Sequence, residues 1–170
     1  MLQIDITPEI CAAAEKLADH KVYKRSMRGK EANLVGAYGE AIVYDYLVKY
    51  GMSPVFAHKT THDIECSGYK IDVKTKERTV APKPYYDCTV PAYNHEHQKP
   101  DTFIFVSLLS KPKGSRRFSS AWILGSISYK QLTQKAKLWK AGEVDPNNGW
   151  SATIDCYNVP ISLLKPPVVK

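Results

Sequence analysis

The order of the predicted elements indicates an α/β domain with a mixed central β-sheet flanked by α-helices. Two segments in the first 50 residues have helical apolar spacing, and a hairpin and two long apolar runs follow them. Helices, then strands, then a further helix and strand favour one mixed sheet. The length of 170 residues fits one domain, and no linker divides the chain.

Two helices are predicted before the strands. Thr7-Pro8-Glu9 is typical of a helix start, with a hydroxyl N-cap, a proline at the first helical position and an acid in the first turn. This helix should run to about Asp19. A second helix should span about Ala32 to Lys49, because its apolar spacing is helical and Gly51 follows its end.

The rest of the chain predicts mainly strands. Four prolines in 79–100 predict a long excursion with a strand near 87–90, and 129–140 should form a helix. An extended tail at 154–164 could hold a final strand. The other predicted strands cover 54–57, 62–66, 69–76, 102–109 and 121–127.

The net charge of +7 is unevenly distributed along the chain. Residues 21–30 hold five cations and no acid, and residues 102–142 contain no Asp or Glu. Segregated positive charge favours a polyanionic partner, because cations placed on phosphates release condensed counterions. The side chains predicted to contact nucleic acid from these runs are Arg25, Arg28, Lys113, Arg116 and Arg117.

The sequence predicts a cytoplasmic protein without a membrane span. Its N-terminus lacks the plan of a secretory signal, and no apolar stretch approaches the roughly 18 residues that a membrane helix requires. The four cysteines are scattered and should remain reduced. One alternative stays open, a zinc site, although the spacing of its ligands matches no standard finger. Its candidate ligands are Cys66, Cys88, His95 and His97.

The segment 62–76 predicts a hairpin that carries chemistry. If Ser67-Gly68 is a two-residue turn, Ile64 pairs with Ile71 and Asp63 lies opposite Asp72. Because strands alternate faces, Lys74 and Lys76 share the face of Asp72, and the apolar side chains point to the other side. Like charges directly opposite are destabilising, so a divalent cation bound by both aspartates would compensate.

Glu40 lies beside the apolar stripe of the second predicted helix. A carboxylate near a packing face needs a partner, and a site metal would meet that need. Gly36 and Gly39 cost this helix about 1 kcal/mol each relative to alanine. Their expected use is to let another backbone approach closely.

These features together resemble the PD-(D/E)XK, or restriction-endonuclease-like, nuclease superfamily, in its small single-domain phage or prokaryotic form. The resemblance rests on Glu40 in GAYGEAIVYDYL, Asp63 in THDIECSGYK, and Asp72-Val73-Lys74 in KIDVKTKER. It covers about residues 32–130. The family often has a proline before the first acid, where this chain has His62.

The resemblance implies a role for each matching residue. Asp63 and Asp72 would bind catalytic Mg²⁺, which Mn²⁺ may replace, and the Val73 carbonyl would be a further ligand. Lys74 would orient the attacking water and stabilise the developing charge. Glu40 would hold a metal-bound water or a second metal, and Lys76 could contact a phosphate.

The sequence therefore predicts a metal-dependent nuclease that acts on DNA, with structure- or end-directed cleavage. One alternative is a Holliday-junction-type resolving enzyme of the same fold, which would be a homodimer. A second alternative is a catalytically inactive nucleic-acid-binding module, against which the intact Asp63, Asp72 and Lys74 argue.

Overall fold

A computed structural model describes residues 1–20, 29–57, 59–110 and 118–167. Within these residues the α-helices are α1 (Pro8–His20), α2 (Gly29–Lys49), α3 (Ala92–Gln98) and α4 (Tyr129–Lys135). A 3₁₀ turn follows at Ile161–Leu163. None of the described helices has both the length and the apolar character needed to cross a membrane.

Nine strands form two sheets in the described part of the chain. The main sheet has the order β1-β7-β6-β4-β3-β2, in which β4 and β6 run parallel and the other neighbours antiparallel. The smaller sheet is antiparallel, in the order β5-β9-β8. The strands are β1 (Leu2–Ile4), β2 (Val55–Phe56), β3 (Ile64–Cys66), β4 (Tyr69–Arg78), β5 (Asp87–Pro91), β6 (Thr102–Ser110), β7 (Phe118–Ser128), β8 (Lys137–Trp139) and β9 (Cys156–Pro160).

The main sheet lies between two apolar cores, which makes the fold three-layered. On one face α1 and α2 pack against alternate residues of β4 and β6, such as Val73, Ile104 and Val106. On the other face Phe103 and Phe105 pack against β5, β9 and α4. Because β6 alternates its side chains between the two cores, it is buried on both sides. The prediction of a mixed α/β sheet is confirmed.

The N-terminal helices agree closely with the prediction. In α1 the Thr7 hydroxyl accepts a hydrogen bond from the Ile10 amide at 3.4 Å, which confirms Thr7 as the N-cap. Ile10, Ala14 and Leu17 are buried, as their helical spacing indicates. Helix α2 ends at Lys49, and Gly51 takes a φ of +76° just past that end.

Two predicted elements differ from the structure, and one strand was not predicted. The excursion at 79–100 contains α3, which the prolines obscured. The helix predicted to reach residue 140 ends at Lys135, because 137–139 pair with β9 as strand β8 and bury Trp139. Strand β1 was not predicted, since three residues carry little periodic signal and their partners on β7 lie far along the chain.

Candidate active site

The β3–β4 hairpin positions the acidic residues. Its turn is formed by Ser67 and Gly68, with φ values of 50° and 81°, the conformation that two-residue hairpin turns require. Cys66 pairs with Tyr69, and Ile64 pairs with Ile71. The predicted register of the hairpin is therefore confirmed.

The ladder ends at Ile64, one pair short of the expected pairing between Asp63 and Asp72. The Asp63 amide donates to the Ile71 carbonyl at 2.9 Å. Its carboxylate Oδ2 accepts a hydrogen bond from the Val73 amide at 2.8 Å. The side chain of Asp63 thus supplies the acceptor that the next residue of a longer strand would have supplied. Asp63 and Asp72 therefore do not form the expected cross-strand pair.

The Val73 carbonyl points toward the same edge of β4 as its amide, because both groups of a strand residue face one neighbouring strand. That edge is the one Asp63 occupies, since the Val73 amide donates to its carboxylate. In the described residues, β4 pairs with β3 only as far as Ile71. The Val73 carbonyl therefore lies beyond the ladder, on the side of the Asp63 carboxylate.

Asp72 and Lys74 form a close ion pair on one face of β4. Lys74 Nζ lies 2.6 Å from Asp72 Oδ2, and the two side chains are 17% and 2% exposed. The predicted sharing of a face is confirmed. The face is not an open polar surface as expected, because the second layer covers it and Asp72 is buried. A buried charge of this kind is stable only with a partner, which Lys74 provides.

Gln98, a residue that the sequence analysis did not select, orients Lys74. The lysine ammonium donates to Gln98 Oε1 at 3.0 Å, and Asn94 donates to the same oxygen at 3.1 Å. The Gln98 amide donates to the Thr60 carbonyl at 3.0 Å, which fixes the direction of the side chain. Gln98 therefore joins helix α3, strand β4 and the loop that leads to Asp63. The only sequence signal was the helical spacing of Asn94 and Gln98 in a segment interpreted as an excursion.

Glu40 is buried on α2, in the opposite layer from Asp72 and Lys74. The preceding residue, Gly39, faces Thr75 so closely that a Cβ added there would lie 1.8 Å from the Thr75 hydroxyl. A close approach occurs at Gly39 as expected, but the neighbour is the Thr75 side chain and not another backbone. Gly36 has open space beside it, so the same expectation was wrong there. Glu40 thus approaches β4 from the helical layer, and the structure does not place it on the face of Asp72.

A row of cations continues along β4 from Lys74. Lys76 is exposed, although part of its side chain is shielded from solvent. This partial burial is the main cause that lowers the pKa of Lys76, and the positive charge of Arg78 lowers it further. Arg78 donates to the Asp87 carbonyl at 3.0 Å and lies 5.0 Å from the centre of the Tyr86 ring. The other predicted nucleic-acid contacts, Arg25, Arg28, Lys113, Arg116 and Arg117, lie outside the described residues.

Glu65 on β3 forms an ionic network with Lys59 and His62, which lie in the loop that leads to Asp63. It accepts hydrogen bonds from Lys59 at 2.7 Å and from the buried His62 at 2.9 Å. These contacts, that of Lys59 foremost, lower the pKa of Glu65 to about 2. His62, the residue before Asp63, therefore anchors the loop through Glu65, and its other ring nitrogen lies 2.9 Å from the Thr61 hydroxyl.

The zinc alternative is not supported. Cys66 and Cys88 are buried in different cores, on opposite faces of the main sheet. His95 is buried against Tyr129 at a ring separation of 4.4 Å, whereas His97 is exposed. Across the described ranges, no three side chains of His, Cys, Asp or Glu form a group that could hold a metal ion. A metal ion at the β3–β4 hairpin would therefore depend on Asp63, Asp72 and backbone oxygen.

No protein-family model matches this chain, and no curated protein is significantly similar to it.

Proposed function

We propose that this protein is a metal-dependent nuclease that hydrolyses phosphodiester bonds in DNA, with a restriction-endonuclease-like core. One observation carries the proposal: a single hairpin holds the Asp63 carboxylate on the backbone amide of Val73, the residue that lies between the ion-paired Asp72 and Lys74. Lys74 Nζ lies 2.6 Å from Asp72, and the carboxylate of Asp63 accepts from the Val73 amide. The mixed sheet, with α2 packed on one face of β4, supports the core assignment.

The donor set fits Mg²⁺, with Mn²⁺ as a substitute. The carboxylates of Asp63 and Asp72 and the carbonyl of Val73 are hard oxygen ligands. Proteins usually bind Mg²⁺ through one or two carboxylates and leave several positions to water, so a third acidic side chain is not required. When bound, the ion would neutralise charge on the scissile phosphate and lower the pKa of a coordinated water.

Lys74 would stabilise the negative charge that develops on the phosphate. Its side chain is mostly shielded from solvent, and a cation in such a site acts more strongly than one in water. Gln98 holds the ammonium from a second direction. If the Asp72 carboxylate binds a metal ion, the hydrogen bond to Gln98 still keeps Lys74 in place. Gln98 therefore serves as a positioning residue.

The cations of β4 support a polyanionic substrate. Lys74, Lys76 and Arg78 alternate with residues of the helical core and therefore share one face of the strand. These positive charges extend along β4 from Asp72 toward the end of the strand at Arg78. Lys76 is the exposed member of this row, so a nucleic-acid backbone that reaches the site would gain a phosphate contact there.

Glu40 would reach the metal site from the helical layer. It would pass the edge of β4 at the point where the pairing with β3 has ended. Its burial on α2 and the contact of Gly39 with Thr75 bring it to the strand from the helical layer. We infer a role in holding a water or a second metal rather than direct contact with Lys74.

The experiment is incubation of the protein with supercoiled plasmid, linear duplex and a four-way junction, in Mg²⁺, Mn²⁺ or EDTA. We expect cleavage with either metal and none with EDTA. Lys74→Ala should lower the rate at least a hundredfold while DNA affinity changes only a few-fold, because the lysine acts mainly in the transition state. Lys49→Ala is the matched control, an exposed lysine paired with Asp45 on the helical side.

The outcomes separate the alternatives. Preference for the junction, with a dimer in solution, would identify the resolving enzyme. Binding without cleavage in either metal would identify the inactive module. Equal cleavage by wild type and Lys74→Ala would show that the activity does not reside at this hairpin.

A further inference from the structure

Helix α3 presents a stacked pair of rings, Tyr93 and His97, to solvent. The ring centres are 4.1 Å apart and the planes are inclined by 23°. His97 Nδ1 donates to the Tyr93 carbonyl at 2.7 Å, which fixes the imidazole beneath the phenol ring. Tyr93 is nevertheless 71% exposed. One face of its ring is covered by His97, so the exposed surface is chiefly the other face.

This pair of rings, here called the α3 platform, borders the candidate active site. Gln98, which follows His97 directly, accepts a hydrogen bond from Lys74. On a helix, Asn94 and Gln98 form one row and Tyr93 and His97 form the adjacent row. Gln98 contacts Lys74, and the platform lies on the neighbouring row of the same helix, about 100° further around the helix axis.

The chemistry of the platform suits a nucleobase. An aromatic face stacks on any base, and nearby cations hold the phosphates that connect successive bases. Two exposed cations are available, Lys99 at the end of α3 and Lys76 on β4. The tyrosine ring is already ordered by His97, so binding a base costs little further side-chain entropy.

A base within a duplex cannot use such a platform, because both of its faces are covered by neighbouring base pairs. Only a base with a free face, such as an unpaired base, can lie on the Tyr93 ring. Because Gln98, the residue after His97, contacts Lys74, that base and the phosphate that Lys74 would contact would both be held at α3.

We propose that the α3 platform binds an unpaired nucleobase beside the scissile phosphate, so that the substrate is single-stranded DNA or DNA with an unpaired nucleotide at the cut. This inference rests on the proposed nuclease function for the location of the cut. Binding of an unpaired base by Tyr93 can be tested without cleavage.

The test measures the affinity of a fluorescently labelled single-stranded oligonucleotide by anisotropy in EDTA, where no metal-dependent hydrolysis occurs. Tyr93→Leu keeps the helix propensity and bulk but removes the ring, and should weaken binding roughly 5- to 150-fold. Tyr93→Phe keeps the stacking face and should bind within about twofold of wild type. Tyr50→Leu is the matched control, since Tyr50 is 60% exposed but lies just past α2, on the helical side.

A second measurement uses a 2-aminopurine base in the same oligonucleotide. Stacking on the ring should quench its fluorescence in wild type and in Tyr93→Phe, but not in Tyr93→Leu. Absence of quenching in the wild-type complex would overturn the proposal even if Tyr93→Leu failed to fold. Equal affinity of Tyr93→Leu and Tyr50→Leu would overturn it as well.

Failure of this proposal is distinguishable from failure of the nuclease proposal. Cleavage in Mg²⁺ that is equal on paired and unpaired DNA, and unchanged in Tyr93→Leu, would reject the platform and leave the nuclease in place. Binding that depends on the Tyr93 ring, without cleavage of any substrate, would reject the nuclease and support the platform.

Discussion

The contact between Gly39 and Thr75 makes a sharp prediction about how α2 is held on β4. A Cβ added at Gly39 would lie 1.8 Å from the Thr75 hydroxyl oxygen, 3.0 Å from its Cβ and 3.1 Å from its Cγ2. Rotation about χ1 can move the Thr75 hydroxyl away, but threonine is restricted at χ1 and its Cβ would stay 3.0 Å from the added methyl group. The helix or the strand must shift to accept an alanine.

Gly36→Ala is the matched control in the same helix, because its added Cβ meets no atom within 4 Å. Both substitutions gain the helix propensity of alanine, about 1 kcal/mol. Overpacking a core typically costs about 1–3 kcal/mol, and the 1.8 Å contact favours the upper end. The free energies of unfolding of Gly39→Ala and Gly36→Ala should therefore differ by about 3 kcal/mol.

Urea denaturation of the two variants measures this difference. Adding Thr75→Ala to Gly39→Ala should recover part of the loss, because it removes the two outer atoms and leaves only the Cβ at 3.0 Å. Equal stability of the two glycine variants would refute the close packing of α2 on β4. Because Glu40 follows Gly39, we also expect Gly39→Ala, and not Gly36→Ala, to lower the cleavage rate.

Further predictions concern the site and its surroundings. Gln98→Ala should lower the cleavage rate about ten- to a hundredfold with little change in DNA affinity, because it removes a hydrogen bond to the charged Lys74; single-turnover kinetics and DNA titration measure the two quantities. Charge reversal of Arg116 and Arg117 should flatten the salt dependence of DNA binding by about 0.9 in log–log slope per lost phosphate contact, and an unchanged slope would remove this run from the interface. Glu65 has its pKa lowered to about 2 from 4.5, so its ionised form stabilises the fold above about pH 4.5, and this contribution is lost as the pH falls toward 2. Glu65→Gln should thus lower the melting temperature at neutral pH, and its difference from wild type should shrink with acidification.

Local signals were enough to predict the hairpin and the ion pair of Asp72 and Lys74. The turn at Ser67-Gly68 sets the register, and the two-residue period of a strand then determines which side chains share a face. These relations span fewer than a dozen residues. They hold because neither the turn conformation nor the alternation depends on the rest of the chain.

Gln98 and the orientation of Asp63 depend on distant parts of the chain. Gln98 contacts Lys74 across 24 positions and Thr60 across 38, and its helix has only seven residues, too few for a clear periodic pattern. Asp63 leaves the ladder because its carboxylate finds the Val73 amide, an alternative that only the folded geometry exposes. The covered face of Asp72 was missed for the same reason, since β5 and β9 approach it from later sequence.

The irregularity in β7 bears on how the two layers unfold. Phe105 pairs with Gly125 and Val106 with Ile123, so Leu124 is an extra residue in the strand. The extra residue shifts the alternation of faces: Leu124 and Ile127, three positions apart, both pack under the smaller sheet, whereas Ile123 packs under the helices. Loss of order in either core therefore disturbs the same short piece of backbone, at Ile123 and Leu124. We therefore expect the helical layer and the smaller sheet to melt in one cooperative transition, and the slowest amide protons on both sides of β7 to exchange with solvent at a common rate.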